Sequence, residues 1–249
     1  LERVLERLSK SPYKNNFILK GGLLISSMVG IAERTTMDMD TSVTGISMQE
    51  EELEKVIREI LLIDVGDGIV FEFEKLEPIR EDDDYNNFRA YFIAHYGKIA
   101  NTMKIDITTG DEITPGAIQY SYKTILDEDE IGVMAYNIET IIAEKFETII
   151  RRNIGTSRAR DFYDLYMFYN IYGEMINPEI LKLAVTRTAK KRNSLQNISE
   201  WKEIIEDMRE DAALRALWGN YCENNTYVTD VSYENVMEIT MHIAEIIEF

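Results

Sequence analysis

Three aspartates and a pair of glycines carry the chemistry this sequence offers most plainly. Asp38 and Asp40 stand two apart in Met37-Asp-Met-Asp, and Asp106 stands between Ile105 and Ile107. Side chains of an extended strand alternate between faces, so Asp38 and Asp40 point one way and Met37 and Met39 the other. The same alternation puts Lys104 and Asp106 opposite the apolar pair Ile105 and Ile107. Carboxylates held side by side repel at neutral pH, and a divalent cation relieves them. Phosphoryl transfer with two cations about 4 Å apart calls for three acidic side chains, because the ions share ligands. Asp38, Asp40 and Asp106 are therefore the candidate metal ligands, with an exposed strand aspartate as the plain alternative for Asp106. Upstream, Gly21-Gly22 ends an apolar run, Phe17-Ile-Leu, and opens a helix-like segment from Leu23 to about Ile31. Glycines let the backbone approach a ligand, and a helix start presents free N–H groups to a phosphate. Lys20, just before the glycines, is placed either to meet a phosphate or to be a solvated strand end. Taken alone, Gly21-Gly22 with Asp38 and Asp40 also fits a simple turn followed by a solvated strand.

The order Gly-Gly, helix, Asp-x-Asp strand resembles the signature of the DNA polymerase β-like nucleotidyltransferase superfamily. Lys104-Ile-Asp-Ile107, Ala143-Glu-Lys-Phe146 and Arg158-Ala-Arg-Asp-Phe-Tyr-Asp-Leu-Tyr166 narrow it. Together they are similar to AbiEii-type nucleotidyltransferases, the toxins of type IV toxin–antitoxin and abortive-infection systems. The resemblance implies Mg²⁺ held by Asp38, Asp40 and Asp106, and catalysis by these three with Lys145. It further implies a nucleoside triphosphate on Gly21, Gly22, Lys20 and Lys145, with Lys104, Arg160, Asp161 and Asp164 in support. Without it, Lys145 reads as a surface lysine, and Asp161 and Asp164 read as complements to a helix dipole. The family often carries a small hydroxyl residue after the glycines; here Leu23 stands there, with Ser26 and Ser27 a turn later.

These residues need a scaffold. Apolar spacing marks helices over residues 1–11 and 48–63, and strict alternation marks a half-buried strand over Ile69–Lys75. Phe88–Tyr96 and Asn101–Thr108 are further strands, Tyr120–Leu126 and Ile131–Tyr136 shorter ones. From Asn137, a plausible N-cap for a helix to Arg152, the period turns helical. Ile142, Phe146, Ile149 and Ile150 form its buried stripe, and Phe162, Leu165, Tyr166, Phe168 and Tyr169 form the core of the helix after it. Asn177-Pro178 opens the next helix. A helix capped by Ser199 carries Trp201 and Trp218 with a bend near Asp211. Tyr221–Asp230 is a loop, and Ser232–Ile247 is a last helix. The expected fold is α+β: a nucleotidyltransferase-like mixed sheet with flanking helices over 1–135, then a helical domain over 136–249. A cleft between them is expected to bring Lys145 toward the aspartates.

Composition narrows the function classes. The 249 residues are 45% hydrophobic without a membrane-length apolar run, and no charged-then-apolar leader is visible. One cysteine, Cys222, cannot form an internal disulfide, which fits the cytoplasm. With only His95 and His242 beside it, a Cys/His zinc site is excluded. A net charge of −18 opposes non-specific coating of nucleic acid. The charge is segregated, however: acid gathers in Gln49–Glu59, Glu72–Asp84 and Asp127–Glu130. Base gathers at Arg151, Arg152, Arg158 and Arg160, and at Arg187, Lys190, Lys191 and Arg192. The basic cluster Arg187–Arg192 tilts the acceptor toward RNA such as tRNA, and the resemblance implies a cognate antitoxin. Two readings stand beside this one. One is a catalytically silent module binding antitoxin or RNA; the other is a small-molecule nucleotidyltransferase of the antibiotic-modifying type.

Overall fold

The computed structural model describes residues 1–30, 36, 38–79, 87–125 and 129–247. The expected helix end at Ile31, the strand end at Leu126 and the acidic stretch at residues 80–84 lie outside them. The elements run α1 (Glu2–Lys10), β1 (Phe17–Lys20), α2 (Gly21–Val29), β2 (Met39–Val43), α3 (Glu50–Leu61), β3 (Val70–Ile79), β4 (Asn87–Tyr96), β5 (Ile99–Thr109), β6 (Ile118–Lys123), β7 (Glu130–Ala135), α4 (Ile138–Arg152), α5 (Ala159–Tyr172), α6 (Pro178–Lys191), α7 (Leu195–Ser199), α8 (Trp201–Glu210), α9 (Ala212–Asn224) and α10 (Tyr233–Ile247). The fold is α+β, and the chain forms two compact units. The first holds residues 1–30, 36–111 and 117–136 of those described; the second holds 112–116 and 137–247.

The first unit is built on one seven-stranded mixed sheet in the order β3-β4-β5-β2-β1-β7-β6. β1 runs antiparallel to β2 and parallel to β7, and β2 runs parallel to β5. The centre of the sheet is thus β5-β2-β1, the strands that carry the candidate residues. Their apolar sides are buried: Leu19, Met39, Ile105 and Ile107 are core. α1 packs on β7 and α3, α3 on β3, and α2 on β1, β2 and β6. Two features differ from the sequence expectation. α2 begins at the glycines themselves rather than at Leu23, and β2 begins at Met39, so Asp38 sits at the strand's entrance. Buried Arg7 of α1 reaches the Gly66–Gly68 turn, donating to both carboxylate oxygens of Asp67 at 2.8 Å and to Ile69 O.

The second unit is helical apart from residues 112–116. α4 packs against α5 and α6, and α10 covers α5, α6 and α8. α4 starts where Asn137 accepts a hydrogen bond from Thr140 N at 2.8 Å, and α6 starts where Asn177 caps ahead of Pro178. The expected stripe of Ile142, Phe146, Ile149 and Ile150 is buried, and so is Ile141. On α5, Phe162, Leu165 and Phe168 are core; Tyr163 is buried, while Tyr166 and Tyr169 are only half-buried. The single bent helix expected from Ser199 is two helices. Ser199 ends α7, and Asp211 caps α9 by accepting from Leu214 N at 2.7 Å. The expected loop Tyr221–Asp230 is helical over its first four residues, because α9 continues to Asn224. Glu147, fully buried, is paired with Arg151 Nε at 2.8 Å and Arg192 Nη1 at 2.7 Å, and accepts from Ser194.

Candidate active site

Backbone register sets the site in the first unit. Lys20 of β1 is opposite Asp40 of β2, Asp40 is beside Asp106 of β5, and Asp106 is opposite Arg89 of β4. Directly paired residues share a face. Four charged side chains therefore form one row across four strands, in the order Arg89, Asp106, Asp40, Lys20. Lys104 and Asp38 make a shorter row one step along, with an ion pair at 3.0 Å. This face holds Asp38, Asp40, Lys104 and Asp106 together, while Met39, Ile105 and Ile107 fill the other.

Gly21 explains how close the backbone comes to that row. Its φ is +62°, a conformation that favours glycine, and a Cβ there would overlap the Asp40 carboxylate. Gly22 N–H, at the start of α2, donates to Asp40 Oδ2 at 3.3 Å. One of the amides that the sequence offered to phosphate is thus turned on Asp40. Burial pushes the Asp40 carboxyl above its ordinary value despite the charge of Lys20, and the negative charges of Asp106 and Asp38 add to the rise.

Lys20 is not a solvated strand end. Its ammonium meets Asp111 Oδ2 at 2.7 Å, and both side chains are mostly buried. Burial alone would raise the Asp111 carboxyl. The Lys20 charge, with hydrogen bonds from Lys20, Ser42 and Thr108, holds it far below the carboxylate range instead. Neither Asp111 nor Arg89 stood out in the sequence. Arg89 Nε and Nη2 clasp the two oxygens of Asp106 at 2.6 and 2.7 Å. This contact raises the guanidinium pKa further, so it stays charged. Arg89's position two residues before Tyr91, on the polar side of an aromatic strand, was the available signal.

All candidate donors are carboxylate oxygens, the set preferred by Mg²⁺, and they share a face. The like-charge repulsion felt by Asp40 is what a cation would relieve. Among the described residues, however, no group of three or more His, Cys, Asp or Glu side chains is gathered closely enough to hold a metal ion as it stands. Arg89 clasps Asp106 and Lys104 pairs with Asp38, so an incoming cation must share or displace these partners. In kind, the donors fit a hard divalent cation.

The second unit contains the other predicted residues. Lys145 of α4 is not a surface lysine. Its ammonium lies 2.8 Å from Asp161 Oδ1 and 2.7 Å from Asp164 Oδ2, and its side chain is 15% exposed. Burial would lower the Lys145 pKa, but the two aspartates raise it, so the charge is kept. Asp161 is held low in turn, against its own burial, by Lys145 and Arg158. The spacing of three residues puts both aspartates on one face of α5, as expected. The arginine that pairs with Asp161 is Arg158, Nε to Oδ2 at 2.7 Å, rather than Arg160.

Comparison with known proteins follows the same lines. The family described as nucleotidyl transferase AbiEii toxin of type IV toxin–antitoxin systems matches residues 3–238. A candidate nucleotidyltransferase from H. pylori is 15% identical, with a TM-score of 0.50 over 99% of this chain and 90% of its own. JHP933 from Helicobacter pylori is 16% identical, with a TM-score of 0.49 over 99% and 88%. An antigenic nucleotidyltransferase-like protein from Paracoccidioides brasiliensis is 11% identical, with a TM-score of 0.44 over 79% and 88%. Comparison with curated proteins finds no match.

Proposed function

The chain belongs to the family of AbiEii nucleotidyl transferase toxins, and on that footing we propose an RNA such as tRNA as its acceptor and Mg²⁺ as its metal. Membership makes it a nucleotidyltransferase with a toxin role, for which a nucleoside triphosphate is the donor and an antitoxin the expected partner. No helix among the described residues is long and apolar enough to cross a membrane.

The observation that carries the proposal is the row Arg89–Asp106–Asp40–Lys20 beside the α2 N-terminus. In the proposed reaction an acceptor hydroxyl attacks the α-phosphate, the bond to the β-phosphate breaks, and pyrophosphate leaves. Mg²⁺ held by Asp38, Asp40 and Asp106 would supply charge neutralisation at the transferring phosphate. Asp106 takes the acceptor proton on a carboxylate oxygen that Arg89 now occupies, so Arg89 must yield it. Gly21 lets the backbone come close, and the remaining amides of the first turn of α2 face the phosphates. Lys20 sits at the head of the row, its charge balanced by Asp111. Within the helical unit, Lys145 keeps its charge between Asp161 and Asp164. The basic residues Arg187 and Lys190 favour a polyanionic acceptor over a small molecule. The ion pairs on Asp38 and Asp106 favour a second reading, a binding module in which these carboxylates only stabilise the sheet.

Incubation with each α-phosphate-labelled nucleoside triphosphate, Mg²⁺ and total RNA tests the proposal. Label in an RNA band supports it. Label that appears only in small molecules, or nowhere, contradicts the RNA acceptor.

A further inference from the structure

An open surface pocket of about 470 Å³ lies within the helical unit at the N-terminal end of α5, wide enough to admit a nucleotide-sized ligand. One wall is residues 157–161; the other includes Asn220, Tyr221, Asn224 and Asn225, at the end of α9. Charge on this wall is unevenly spent. Arg158 is committed to Asp161, and Lys145 to Asp161 and Asp164. Those two cations and two anions cancel. Arg160, exposed on the same wall, has no hydrogen bond or ion pair among the described residues, so its charge is the surplus. α5 also starts without a side-chain cap; Asp161 N is spent on Arg158 O, which leaves the amides of residues 159 and 160 for an anion beside that guanidinium.

The opposite wall has different chemistry. Asn224 Nδ2 donates to Asn220 O, and Asn225 Nδ2 donates to Tyr221 O, each at 2.7 Å. These bonds orient the two amides, while the Asn220 side chain has no partner among the described residues. The Tyr221 ring is immobilised between Trp218 and Tyr163, with centroids at 5.6 and 6.1 Å, and its hydroxyl meets that of Tyr227 at 3.0 Å. An anion alone has no use for carboxamides, which pair a donor with an acceptor as base edges do.

We propose that this cavity binds one nucleotide of the acceptor RNA, its phosphate on Arg160 and the start of α5, its base edge on the amides of Asn220 and Asn224. This assignment rests on the RNA-acceptor reading. A free nucleotide has the same chemistry, so both are assayed, without metal and without catalysis. Anisotropy of a fluorescein-labelled single-stranded RNA would be measured against wild type, Arg160→Gln and Asn220→Ala across a salt series, with unlabelled ATP as competitor in a parallel arm. Both substitutions are at exposed positions, and unchanged melting would verify that the variants are folded. Arg160→Gln is expected to weaken RNA binding about fivefold and reduce the log–log salt slope by about one; Asn220→Ala is expected to weaken binding without altering the slope. Wild-type RNA binding that both variants match would overturn the cavity assignment and leave the RNA-acceptor reading standing. Variants that lose ATP binding but retain RNA would overturn the assignment to RNA and give the cavity to free nucleotide. No RNA binding by the wild type would overturn both readings.

Discussion

Arg89 and Asp106 face each other across β4 and β5, joined by two hydrogen bonds of 2.6 and 2.7 Å. The carboxylate that metal chemistry would call on is therefore already neutralised by a planar, permanently charged partner. Arg89→Gln should free it. Half-exposed charges at this separation interact by about 1 kcal/mol, so Mn²⁺ should bind roughly fivefold more tightly to the variant in isothermal titration. Equal or weaker binding would show that Asp106 does not take part in holding the ion.

Gly21 is the second test, since any Cβ there overlaps the Asp40 carboxylate and φ is +62°. Gly21→Ala is expected to cost about 1–3 kcal/mol of strain and to abolish transfer. Circular dichroism should still report a folded chain. Transfer at the wild-type rate would mean that Asp40 can move aside without consequence.

Some of this was legible in the sequence and some was not. The alternation around Ile105 and Ile107 shows which way Asp106 points, because burial of two isoleucines leaves one choice. The caps Asn137 and Asn177 place two helix starts for a local reason. Arg89 and Asp111 acquire their partners only through strand register and through the turn at Gly110, whose φ is +74°. Those are relationships between distant segments that periodicity does not encode. Asp211 had the right chemistry for a cap, but the apolar period continued across it and suggested a bend instead.

Lys145 illustrates the cost of misjudging burial. As an exposed lysine it would be removable with little effect on stability. As the partner of two buried aspartates it is not. Lys145→Ala leaves Asp161 and Asp164 facing one another without it, and breaking such a buried set costs about 3–5 kcal/mol. Thermal unfolding should therefore start well below that of wild type, with Asp164→Asn in the same chain restoring part of the loss. An unchanged melting temperature would return Lys145 to the surface.

Acid should loosen the first unit through Asp67. The Arg7 hydrogen bonds hold its carboxyl below the ordinary 3.8, against some desolvation. A depressed folded-state pKa contributes stability that is fully present above the unfolded value and lost as pH falls through the folded one. Urea midpoints should thus fall below about pH 4 more steeply in wild type than in Asp67→Asn. Parallel acid profiles would remove this pair from the account.

Nucleotidyl transfer is assigned to Asp38, Asp40 and Asp106, and Asp40 is the one that register sets beside both Asp106 and Lys20. Transfer of α-phosphate label from nucleoside triphosphate to RNA, compared between wild type and Asp40→Asn at matched folding, tests it most directly. Labelled RNA is expected with wild type and none with the variant, whose shape is nearly unchanged but whose charge is gone. Equal labelling by the two proteins would contradict it.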